Sequence, residues 1–184
     1  MNLPNVLTIS RIVLAITLIF LLEENSSMGN ILAVIVFTIA SLTDFYDGHL
    51  ARTRGLVSNL GKIMDPVADK ILLLSVFGVL AHIGSIAWWM FIVIAIREIL
   101  VTASRLWAMR QGQVLAAERS GKIKTVVQII AVSAILLYLA AQQSEFCSFW
   151  FYNVQRIWDG VNYALMILAV MITVYSGIDY FRQK

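Results

Sequence analysis

The chain has 184 residues, 60% of them hydrophobic and 14% charged, with a mean hydropathy of +0.82 and a net charge of +3. This is too apolar for an ordinary soluble domain, and the few clustered cations argue against a nucleic-acid partner. The single cysteine, Cys147, excludes an intramolecular disulfide. What remains is an all-α integral membrane protein, because each span needs about 20 apolar residues and must satisfy its own backbone hydrogen bonds.

In chain order, Pro4 precedes the first apolar run, and Asn2 to Asn5 reads as a short interfacial turn. The run itself contains Arg11, ends in Glu23-Glu24 and lacks a small-residue cleavage pattern, so it reads as a retained span. Six transmembrane helices are predicted, over about residues 6–22, 31–53, 61–82, 86–108, 121–141 and 160–181. Ala81 to Ser85 is a tight turn with Gly84, and Gln142 to Asp159 is a mixed connection. No repeat or second domain is visible, so residues 1–184 form a single membrane domain.

Basic residues orient the spans. With the amino terminus cytoplasmic, Arg11, Arg52, Arg54, Lys62, Lys70, Arg105, Arg110, Arg119, Lys122, Lys124, Arg182 and Lys184 fall near the cytoplasmic side. Arg156 falls outside and Arg97 within a span, so the positive-inside bias places both termini in the cytoplasm.

The second and third spans carry acids where a bilayer penalises them. A carboxylate near the membrane centre costs roughly 2.5–3.5 kcal/mol on insertion scales, so such a group needs a partner or a function. Asp44 and Asp47 are three residues apart, Asp65 and Asp69 four apart, so each pair shares a helical face. Gly48, Ala51 and Gly61 leave room beside them for a ligand or a backbone. Four carboxylates at one surface suit Mg²⁺ or Mn²⁺, hard cations that prefer oxygen and often also bind substrate phosphates. The active site is therefore expected in a polar cavity at the cytoplasmic side.

The fourth and fifth spans add cations. Arg97 and Arg105 lie eight residues apart and point roughly the same way; Arg119, Lys122 and Lys124 follow. Together they are candidates to bind a phosphate. Arg97 and Glu98 are consecutive, a spacing that puts them on different helical faces. Beyond Gln142 no chemistry is apparent; Trp150, Tyr152, Trp158 and Tyr163 read as interfacial aromatics.

The run Asp44-Phe-Tyr-Asp47-Gly48-His-Leu-Ala51-Arg52, followed by Gly61, Asp65 and Asp69, resembles the signature of the CDP-alcohol phosphatidyltransferase family. His49, between motif positions, stands where an aromatic is expected. Arg97 to Arg105, Gly121 to Thr125 and the opening Asn2 to Arg11 are similar to the bacterial phosphatidylglycerophosphate synthases of that family. The resemblance implies transfer of a phosphatidyl group from CDP-diacylglycerol to glycerol 3-phosphate, with release of CMP. It implies that Asp44, Asp47, Asp65 and Asp69 hold two Mg²⁺ or Mn²⁺ ions, and that Asp69 is also the general base. Thr8, Arg11, Gly48, Ala51, Arg52 and Gly61 would shape the donor site. A bacterial plasma membrane and a homodimer follow from the same resemblance. Inositol phosphate, phosphatidylglycerol and serine are alternative acceptors within the family. A divalent-cation transporter is the alternative from another class, disfavoured because the acids gather at one surface and no inverted repeat appears.

Overall fold

A computed structural model describes the backbone of residues 3–54, 61–111, 119–143 and 145–182, and side chains within 9–43, 70–109, 111, 120–143 and 154–182. Among the described residues there is no strand. Six helices follow one another: α1 Leu3–Glu23, α2 Ser27–Arg54, α3 Gly61–His82, α4 Trp88–Arg110, α5 Arg119–Gln142 and α6 Glu145–Arg182.

Two boundaries differ from expectation. Helix α1 begins at Leu3, taking in the expected turn, because proline is tolerated in a first helical turn, where its missing N–H has no partner to lose. Helix α6 is 38 residues long and starts at Glu145, inside the expected connection. The stretch from Glu145 to Asp159 has no proline or glycine to stop a helix, and its mixed polarity had suggested a loop.

The helices close into a ring. Helix α1 packs on α2 and α3, α3 on α4, α4 on α6, α6 on α5, and α5 back on α2. The turns α1–α2, α3–α4 and α5–α6 meet at one end, here the turn end, where the Gln143 amide donates to the backbone oxygen and the side chain of Asn25. The α3–α4 turn is closed by Gly84 at φ +78°, with Gly84 N–H on Ala81 O and Ser85 N–H on Leu80 O. That paired bonding satisfies the last carbonyls of α3 and requires a left-handed residue, which glycine supplies without a Cβ clash.

Each helix turns one stripe inward. Ala15, Leu18 and Leu22 of α1, Ala33, Phe37 and Ala40 of α2, and Met90 and Ile94 of α4 are all buried. Small residues let the axes approach closely. At Gly29 a Cβ would stand 2.7 Å from Leu21 O, so α1 and α2 touch through backbone there. The outward stripes are apolar as well: Ile31, Ile35, Ile39 and Leu42 on α2, and Ile123, Val126, Ile130 and Leu137 on α5, are exposed. Water does not tolerate contiguous apolar surface on that scale; lipid does. Two described stretches, Ser120–Gln142 and Val154–Arg182, are long and apolar enough to cross a bilayer.

Candidate functional site

The end opposite the turns holds the start of α1, α3 and α5 and the finish of α2, α4 and α6. The backbone places Thr8 and Arg11 in the first half of α1, and Asp44, Asp47, Gly48, Ala51 and Arg52 in the last part of α2. Gly61, Asp65 and Asp69 lie in the first three turns of α3. Both aspartate pairs thus sit on helices that flank α1 at this end. Their side chains, with those of Thr8, Arg52 and Arg119, lie outside the described residues, and so does the expected convergence of four carboxylates. Arg11 is described and is buried. As a donor set, four carboxylates on two helices that both pack against α1 fit a hard divalent cation.

Next to the aspartate helix, the structure assembles a charged cluster inside the ring. Glu98 of α4 has a side chain that is fully buried, and three cations surround it. The Lys70 ammonium, one residue after Asp69 on α3, is 2.6 Å from Glu98 Oε2. Lys124 of α5, itself buried, donates to Oε1. Arg97 Nη1 is 3.4 Å from the same oxygen, while its Nη2 donates to Ser176 Oγ of α6 at 2.7 Å. Glu98 therefore ties α3, α4 and α5 together directly and α6 through Arg97. Removing one partner of such a buried ionic group costs about 3–5 kcal/mol, because the remaining charge is stranded away from water.

The local sequence explains each position. On α4 the inward stripe runs Met90, Ile94, Glu98, Val101, so Glu98 occupies a core position in place of an aliphatic side chain. On α5 Lys124 and Gln128 begin a stripe continued by Ala131, Val132 and Ile135, and on α6 Thr173, Ser176 and Tyr180 continue Met166 and Ala169. Gln128 donates to Thr173 Oγ1 at 2.9 Å, and Thr173 donates to Ala169 O at 2.6 Å. Gly177 makes room for Arg97: a Cβ there would stand 3.1 Å from Arg97 Cγ.

Toward the helix ends, Arg105 lies two turns beyond Arg97 along the α4–α6 seam. Its guanidinium stacks over the Tyr180 ring, 5.5 Å from the centroid, and the Tyr180 hydroxyl is 3.4 Å from Ser104 Oγ. Arg105 Nε is buried and makes no hydrogen bond among the described residues. A guanidinium nitrogen is 4.0 Å from where a Cβ on Gly121 would stand, so Arg105 reaches toward the start of α5. Lys122 is exposed. Of the expected acceptor cations, then, Arg97 and Lys124 meet at Glu98, Arg105 lies on Tyr180, and Lys122 faces outward.

Three contacts were not legible in the sequence. Arg97 and Glu98 do touch despite being neighbours, because the long arginine side chain lets Nη1 come within 3.4 Å of Glu98 Oε1. Lys70 joins the cluster although it had read only as an orienting charge. Helix α6, which had offered no chemistry, supplies Ser176 and Tyr180. The usable signal was the inward stripe, whose period puts Glu98, Lys124 and Ser176 at core positions.

Two cavities flank this framework. A groove of about 550 Å³ between α3 and α4 is lined by Lys70 and Glu98 at its polar end and by Ile71, Leu74, Ile99 and Leu106 along its length. A larger cavity of about 600 Å³ lies at the turn end, among Asn25, Tyr138, Gln143, Asp159 and Asn162. The second lies at the turn end and has no lysine or arginine in its described lining, so the smaller groove is the one beside the charged cluster.

Residues 1–175 match the family model for CDP-alcohol phosphatidyltransferase. The chain belongs to that family. It is 40% identical to the CDP-diacylglycerol–glycerol-3-phosphate 3-phosphatidyltransferase of Bacillus subtilis, covering all of this chain and 95% of that one. The enzyme of the same name from Rickettsia typhi is 33% identical, over 98% of this chain and 96% of its own. A probable phosphatidylglycerophosphate synthase of Mycobacterium tuberculosis is 33% identical, over 97% and 79%. Membership makes the chain a phosphatidyltransferase.

Proposed function

We propose that the chain transfers the phosphatidyl group of CDP-diacylglycerol to glycerol 3-phosphate, giving phosphatidylglycerophosphate and CMP. The observation that carries this reading is the full-length 40% identity to a relative named for that donor and acceptor. The arginines and lysines gathered on α3, α4 and α5 support an acceptor bearing its own phosphate; serine would have no use for them. All six helices span the plasma membrane of a bacterium, with both termini and the site on the cytoplasmic side, as the distribution of lysine and arginine supports.

In this reading Asp44, Asp47, Asp65 and Asp69 hold two divalent cations, Mg²⁺ or Mn²⁺. Bound there, such ions would supply charge neutralisation for the donor pyrophosphate and for the oxygen that leaves with CMP. Thr8, Arg11, Gly48, Ala51, Arg52 and Gly61 shape the donor site. Asp69 accepts the proton of the acceptor hydroxyl as its oxygen attacks the phosphorus that carries the diacylglycerol, and the bond to CMP breaks. Arg97, Arg105, Arg119, Lys122 and Lys124 bind or orient the acceptor phosphate. Arg105 is well placed by its geometry, since its Nε is buried without a hydrogen bond among the described residues and its plane is braced by Tyr180.

The test is an acceptor panel. Purified protein with CDP-diacylglycerol and Mg²⁺ should release CMP rapidly with glycerol 3-phosphate and slowly with free glycerol, serine or phosphatidylglycerol. Release that is as fast with glycerol as with its phosphate would overturn the reading.

A further inference from the structure

The cluster at Glu98 holds more positive charge than its carboxylate cancels. Glu98 supplies one negative charge to the three cations that touch it, Lys70, Lys124 and Arg97. A carboxylate offers about four lone-pair directions, whereas each ammonium has three donors, so donors remain after the pairs have formed. Lys124 is fully enclosed, but the Lys70 side chain is 28% exposed and lines the groove between α3 and α4. The excess charge therefore has a way out to a ligand. Lys70 also follows Asp69 directly, so whatever fixes Lys70 fixes the turn that presents Asp69.

We propose that Glu98 is a positioning residue for the acceptor, acting through Lys70 and Lys124 to seat a phosphate monoester dianion beside the α3 turn that carries Asp69. The proposal rests on the phosphatidyltransferase reading above and adds a residue to it. Glu98 touches neither substrate. It holds both ammonium groups, Lys70 from α3 and Lys124 from α5, on one carboxylate. A phosphate monoester brings two negative charges to the two ammonium groups; a neutral alcohol brings none. Four helices converge here, so the acceptor site is set by the packing of the ring and not by one flexible loop.

The experiment compares Glu98→Gln, Glu98→Asp and Lys70→Gln in the full chain, reconstituted in phosphatidylcholine vesicles. Glu98→Gln retains the shape and removes the charge. It should raise KM for glycerol 3-phosphate by about tenfold or more, the equivalent of losing one hydrogen bond between charged groups. KM for CDP-diacylglycerol should stay within about twofold. Glu98→Asp should recover most of the loss, and Lys70→Gln, which leaves the buried Lys124–Glu98 pair in place, should reproduce the split if Glu98→Gln folds poorly. Competitive inhibition by inorganic phosphate should weaken in parallel, and phosphate binding by calorimetry reads the same site without turnover. The proposal is overturned if both KM values rise together, if phosphate binds the variants as it binds the parent, or if the variants lose only folded protein while survivors keep the parental KM. Failure of the underlying reading is separate: it appears as parental protein that does not use glycerol 3-phosphate, whatever phosphate binding shows.

Discussion

Lys70 of α3 and Glu98 of α4 meet at 2.6 Å, one residue from Asp69, and this contact couples the aspartate helix to the arginine-bearing helix. In a bundle whose remaining interior is largely aliphatic, such a contact fixes α3 against α4. Buried ion pairs are poor sources of net stability, so their presence argues for a role in geometry.

Asp69→Asn should abolish transfer while leaving CDP-diacylglycerol binding largely intact. The amide keeps the shape of the carboxylate but cannot take a proton from the acceptor. Binding of the donor and CMP release are measured on the same preparation. If both fall by one factor, Asp69 serves the donor and the base lies elsewhere.

Chelation of divalent cations should stop CMP release, and either Mg²⁺ or Mn²⁺ should restore it. The helical circular dichroism should hardly change, because the six helices are supported by apolar packing. Asp47→Asn should raise the cation concentration needed for half-maximal rate. An enzyme indifferent to chelator would remove the metal from the reading.

Arg105→Ala should raise KM for glycerol 3-phosphate by roughly ten- to a hundredfold, the value of about 1.5–3 kcal/mol for a charged hydrogen bond. Lys122 is exposed and unbraced, so Lys122→Ala should have a smaller effect. Arg105→Lys should not rescue fully, since an ammonium neither stacks on Tyr180 nor donates in a planar fork. Equal effects on both substrates would move these cations to the membrane surface.

Gly177→Ala tests the passage of Arg97. The added Cβ would stand 3.1 Å from Arg97 Cγ, so the guanidinium stem must shift while its tip is held by Ser176 and Glu98. Alanine favours helix by up to about 1 kcal/mol over glycine, so the thermal midpoint should hold or rise. The acceptor KM should increase several-fold. A parental KM would mean that Arg97 adjusts without consequence.

The turn end provides a contrast. Tyr138 donates to the Asp159 carboxylate across the α5–α6 pair, far from the aspartates. Tyr138→Phe should lower stability by about 0.5–1.5 kcal/mol, one ordinary hydrogen bond, and leave both KM values unchanged. Altered acceptor kinetics would show the two ends of the ring to be coupled.

The sequence by itself determined the helices and the family they belong to. Apolar runs of membrane length must become helices, because lipid offers no partner for a free peptide group, and Gly84 marked the α3–α4 turn because that backbone needs a left-handed residue. The aspartate spacing on α2 and α3, and its resemblance to one family, was equally local. The start of α6 was misjudged because mixed polarity resembles a loop until a packing partner makes it helical. What only the tertiary structure decided is which charges meet. The ring order α1, α3, α4, α6, α5, α2 brings Lys70, Glu98, Lys124 and Ser176 together from four helices. No spacing along one helix encodes that meeting, since a buried charge finds its partner through the packing of neighbouring helices, which depends on small residues such as Gly177 that leave space for it.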